Sequence, residues 1–128
     1  MQLRATAEAV HCRWLNLSLA LSKRFLDLPE RQWALQASEI IAALLAGNGT
    51  LVVDHIELLF APTLQLDALR VLKAAGRHRP LLVIWPGILE EGNFLVYAEP
   101  GHPEYRRYGK ADLADMTVVD TSTLMWEN

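Results

Sequence analysis

The stretch 51-LVVDHIELLF-60 decides how this chain is read. Leu51, Val52 and Val53 make a short apolar run that ends in Asp54, and Glu57 follows three residues later. The turn-rich 47-GNGT-50 precedes the run, so a strand is favoured over a helix. Polar alternation is absent, which predicts a strand covered on both faces, as in a parallel sheet. An aspartate closing such a strand has two readings. It caps the next turn or helix, or it offers a carboxylate to the water shell of a magnesium ion. A match this short favours capping when taken alone. Glu57 lies just outside the strand, where a carboxylate base orients a water.

Working outward, residues 2–11 read as helix, with Leu3, Ala7 and Val10 on one face. The run 13-RWLNLSL-19 reads as a strand, with Asn16 and Ser18 as candidate caps for the helix that follows. That helix carries Leu21, Phe25 and Leu28 at helical spacing and is halted by Pro29. A second helix then runs to Gly47 on Trp33, Ala37, Ile40, Ile41, Leu44 and Leu45. Beyond the central run, Pro62 opens a helical stripe of Leu66, Leu69, Leu72 and Ala75, ended by Gly76. The next strand is 81-LLVIW-85, stopped by 86-PG-87. The turn 90-EEGN-93 leads to a strand over 94-FLVYA-98. Residues 99–110 read as loop and 117-TVVD-120 as a last strand. Alternating strands and helices predict an α/β domain with a mainly parallel sheet. Its ligand crevice is expected at the carboxyl ends of the strands, where Asp54 and Pro86 fall.

Bulk composition narrows the class. The chain has 128 residues, 52% of them hydrophobic and 21% charged, with a net charge of −3. One domain of this size buries roughly two-thirds of its unfolded surface. No apolar run is long enough to span a bilayer, and the start has no signal-peptide pattern. The one cysteine, Cys12, has no internal partner, so the cytoplasm is the expected compartment. The net charge gives no support to direct nucleic-acid binding, and no histidine or cysteine pair has the spacing of a structural zinc site. Basic residues bunch at 77-RHR-79 and 106-RRYGK-110. Solvated loop ends are their plainer reading, and a phosphate-facing patch is the other.

A magnesium-binding strand works beside a phosphate cradle, yet the pattern G-x-x-x-x-G-K-[ST] occurs nowhere in the chain. The turn 47-GNGT-50 has no lysine and precedes a strand, whereas a phosphate loop precedes a helix. The chain opens with a helix and then a strand, the order that follows such a loop. The first strand and its loop are therefore expected upstream of Met1, making residues 1–128 a single, amino-terminally truncated domain.

The stretches 14-WLNLSLALSKRFLDL-28, 51-LVVDHIELLF-60, 77-RHRPLLVIWPG-87 and 96-VYAEPGHPEYRRY-108 span nearly the whole chain. Through them the chain resembles the BrxF family, small P-loop-containing proteins of type 3 BREX bacteriophage-defence systems. The resemblance implies a RecA-like P-loop NTPase fold, a mainly parallel three-layer sheet lacking here its first strand and phosphate loop. It implies ATP and Mg2+ as cofactors, with Asp54 holding the metal and facing the nucleotide and Glu57 as the catalytic base. It implies other BREX proteins as partners, no membrane, and at most indirect contact with nucleic acid; self-association is a further option. Arg77 and Arg79 would supply charge to a neighbouring subunit's nucleotide; solvated arginines are the alternative.

Three departures bear on activity. The phosphate loop is missing. His55 stands where such enzymes usually carry a glutamate, and Trp85, Pro86 and Gly87 stand where a polar sensor is common. ATP binding is accordingly expected to be lost or crippled in this chain, and whether it is an enzyme is left open. The alternative is a non-catalytic interaction subunit on an NTPase scaffold, with 99-EPGHPEYRRY-108 as contact surface. Without a first strand, 81-LLVIW-85 would face an empty slot and favour aggregation, unless 94-FLVYA-98 or 117-TVVD-120 closes it.

Overall fold

A computed structural model describes residues 12–91 and 93–120. The helix expected over residues 2–11 lies outside them. The chain divides into two compact units, Met1–Pro86 and Gly87–Asn128.

The first unit is built on a three-stranded parallel sheet in the order β1-β2-β3. The strands are β1 (Arg13–Asn16), β2 (Leu51–Asp54) and β3 (Leu81–Val83). Two helices, α1 (Leu17–Phe25) and α2 (Trp33–Leu45), connect β1 to β2, and α3 (Ala68–Gly76) connects β2 to β3. β2 is central, and Leu51, Val52 and Val53 are all buried, so its lack of alternation was read correctly. Strands taken in chain order with right-handed crossovers put both connections on one face. α2 packs against both α1 and α3, as that requires.

Local chemistry sets the helix ends. β1 stops at Asn16, three residues short of the expected boundary, because the Asn16 side chain accepts from the Leu19 N–H at 3.0 Å and starts α1. Leu17, Leu21 and Phe25 then bury one face of α1. After Pro29 a 3-10 turn over Glu30–Gln32 precedes α2. The Trp33 ring stacks on Phe25 with centroids 5.0 Å apart, and its Nε1–H donates to the carbonyls of Phe25 and Leu28. One aromatic side chain thus ties the end of α1 to the start of α2. Asp67 caps α3 by accepting from Arg70 N–H, so the helix starts six residues after Pro62, which instead opens a 3-10 turn. Ile40, Ile41, Leu45, Ile56, Phe60, Leu69 and Leu72 complete the core.

The second unit corrects the expectation of one mainly parallel sheet. Its strands, β4 (Ile88–Glu90), β5 (Phe94–Tyr97) and β6 (Arg106–Tyr108), form a separate antiparallel sheet. The run 94-FLVYA-98 pairs with β4 and β6 there, so it does not fill a slot beside β3. The turn between β4 and β5 is closed by Asn93 N–H donating to Glu90. β6 lies inside the stretch read as loop. Residues 117-TVVD-120 form no strand, and Val118 and Val119 are exposed. Arg107 lies 3.7 Å above the Phe94 ring centre and pairs with Glu90 at 3.1 Å. Tyr108 is buried.

Candidate functional site at the carboxyl rim of the parallel sheet

Asp54 is the last residue of β2 and is register partner to Asn16, the last residue of β1. Both strand ends lie on the carboxyl rim, where open α/β sheets bind ligands. The Asp54 side chain is 24% exposed, so it is reachable from solvent. Its Oδ1 accepts from the His55 N–H at 2.8 Å, and its Oδ2 lies 3.7 Å from the His55 Nε2.

The chain then makes an abrupt turn. His55 has φ +52, a left-handed conformation that a side chain usually avoids. Ser18, in the first turn of α1, braces it. The Ser18 N–H donates to the His55 carbonyl at 2.8 Å, and the Ser18 hydroxyl accepts from Leu58 N–H at 3.0 Å. Ser18 was expected to cap its own helix; it instead holds the turn that displays Asp54, His55 and Glu57. Its position one turn from β1 carries no local signal of this, since its partners are about 40 residues away.

The imidazole of His55 lies between two carboxylates. Nε2 is 3.7 Å from Asp54 and Nδ1 is 3.6 Å from Glu57. Among the described residues no group of three or more His, Cys, Asp or Glu could hold a metal ion. A single reachable carboxylate fits magnesium, which keeps most of its waters and borrows one or two protein oxygens. ATP does not fit the described residues. The glycines Gly47 and Gly49 lie before β2, about 10 Å of strand from Asp54 and on the opposite rim.

The two arginines are on that opposite rim too, so the structure does not gather the four sequence-predicted residues into one site. Arg77 is exposed and follows α3 as its C-cap. Arg79 is 5% exposed and fully engaged. Its Nε–H donates to Gly49, Nη1 to Leu45 and Ala46, and Nη2 to Asn48, at 2.7–3.5 Å. It is neither a solvated loop residue nor free to reach another subunit's nucleotide. α2 has no basic residue in its last turn, and Arg79 supplies the missing donors to its terminal carbonyls. Gly47 makes room: a Cβ there would come within 2.9 Å of Arg79 Nη1.

Trp85 packs edge-on against Phe60 at 5.6 Å, holding the chain just past β3. A hollow of about 210 Å³ in the second unit is lined by Leu89, Asn93, Lys110, Leu113, Met116 and their neighbours, and by none of the four predicted residues. No described helix is long and apolar enough to cross a membrane. Comparison of the chain with protein-family models, curated proteins and solved structures finds no match.

Proposed function

We propose that the chain is a component of a type 3 BREX bacteriophage-defence system, built on a core of RecA-like P-loop NTPase type. The observation that carries this is the position of Asp54, which closes the central strand of a parallel sheet at its carboxyl rim. In that reading Asp54 is the magnesium-facing carboxylate of the family. Glu57, the proposed catalytic base, lies 3.6 Å from the His55 Nδ1 in the turn that follows. ATP binding by the 128 residues alone is crippled, because nothing described cradles a triphosphate. The working partners are other BREX proteins in the cytoplasm, with nucleic acid reached through them.

A second reading is a non-catalytic interaction subunit, and the separate antiparallel unit of residues 87–128 favours it. Translating the DNA immediately upstream of Met1 separates the two. An in-frame G-x-x-x-x-G-K-[ST] supports the nucleotide reading, and a chain extended to include it should gain thermal stability with ATP and Mg2+, a gain that Asp54→Ala removes. An in-frame stop codon supports the interaction subunit. Failure of the tagged chain to co-purify with any BREX protein would count against both.

A further inference from the structure

Asn48 precedes Gly49 in the turn between α2 and β2, and no other asparagine of the chain precedes a glycine. The pair is chemically labile, because a glycine nitrogen has no side chain beside it to hinder attack on the asparagine amide. Both residues are exposed. Among the described residues, neither the Asn48 side-chain amide nor the Gly49 N–H has a hydrogen-bond partner. A Cβ built on Gly49, at φ +80, would meet nothing within 4 Å, so the space around the attacking nitrogen is open. A charge completes the setting. The buried Arg79 donates from Nη2 to the Asn48 carbonyl at 2.7 Å and from Nε to the Gly49 carbonyl at 2.9 Å. The Asn48 carbonyl belongs to the same peptide group whose nitrogen attacks. When that nitrogen gives up its proton, resonance spreads the negative charge onto the Asn48 oxygen, where the guanidinium already sits. A donor fixed where charge develops lowers the barrier to the step, and a charged donor does so more than a neutral one.

We propose that Asn48 is a self-modification site, deamidated through the Gly49 nitrogen with Arg79 promoting the step. A solvent base takes the Gly49 N–H proton. The nitrogen attacks the Asn48 Cγ, and the new N–Cγ bond closes a five-membered ring. The bond from Cγ to the side-chain nitrogen breaks, and that nitrogen takes back a proton and leaves as ammonia. Water then opens the succinimide. Opening at Cγ yields an aspartyl residue, and opening at the main-chain carbonyl yields an isoaspartyl one. One water enters and one ammonia departs, and nothing is oxidised or reduced. Either product adds a negative charge to the turn that Arg79 holds. The isoaspartyl link also lengthens the backbone between positions 48 and 49, which pulls the two carbonyls out of the spacing that the guanidinium fork fits. None of this depends on nucleotide binding.

The test is ageing of the 128-residue chain in mildly alkaline buffer, folded and in urea, with conversion at each asparagine read by peptide mass spectrometry. The folded chain should convert Asn48 at least about threefold faster than the unfolded chain, because only the fold brings Arg79 to the turn. The product should be a mixture of aspartyl and isoaspartyl forms. Asn16 and Asn93, which precede Leu17 and Phe94, should stay intact over the same period. Arg79→Lys should slow the folded chain and leave the unfolded rate where it was, and Asn48→Gln should stop the conversion. A folded rate equal to or below the unfolded one, an aspartyl product alone, earlier conversion at Asn16 or Asn93, or a folded rate indifferent to Arg79→Lys would each overturn the proposal.

Discussion

One guanidinium, that of Arg79, serves four backbone carbonyls in the turn that ends α2. Buried acceptors that lose their donor cost the full desolvation of each group. Arg79→Met should therefore destabilise the first unit by about 2–4 kcal/mol, read from urea unfolding. Arg79→Lys should recover only part, because an ammonium lacks the planar fork. An arginine held in reserve for a nucleotide would leave the unfolding midpoint where it is. His55 makes the opposite kind of demand, on its own backbone. At φ +52 a β-branched residue is strained, so His55→Val should cost about 1–2 kcal/mol more than His55→Ala.

The elements around the rim depend on side chains that bond away from their own segment. Ser18→Ala removes the acceptor for Leu58 N–H and should cost about 1–2 kcal/mol; Asn16→Ala removes the α1 cap at about 1 kcal/mol. Both are measurable by denaturant titration. The Ser18 change should also loosen amide exchange across residues 55–58, which the Asn16 change should not. Which elements could be read from the chain follows the same division. β2 was legible because an unbroken apolar run between turns has one good explanation. The helices were legible from spacing and from Pro29 and Gly47. Caps at Asn16 and Asp67 shifted their starts, since an N-cap depends on a bond, not on hydropathy. β4 and β6 escaped because each is three residues long and RRY has no strand composition. The error at 117-TVVD-120 is the instructive one. It nearly repeats LVVD, yet a strand exists only if another strand pairs with it, and pairing is decided far away in sequence.

On the scale of the whole molecule, two compact units carry different kinds of sheet. The parallel one presents Asp54 at its carboxyl rim, with His55 and Glu57 in the turn after it, and the two arginines lie on the other rim. Positions along a strand were readable from the chain, so the place of Asp54 at the end of β2 was legible. The commitment of Arg79 to a loop some 30 residues away was not. The 128-residue chain should show no rise in melting temperature with ATP and Mg2+, since binding to the folded state is what raises it.

The most direct test of the account is paramagnetic broadening by Mn2+, which shares the oxygen preference of Mg2+. Added to the labelled chain at low, increasing concentration, Mn2+ should broaden the amides of Asp54, His55 and Asn16 first, and Asp54→Asn should abolish the effect. Broadening that begins at the carboxylates of the second unit, or that persists unchanged in Asp54→Asn, would contradict it.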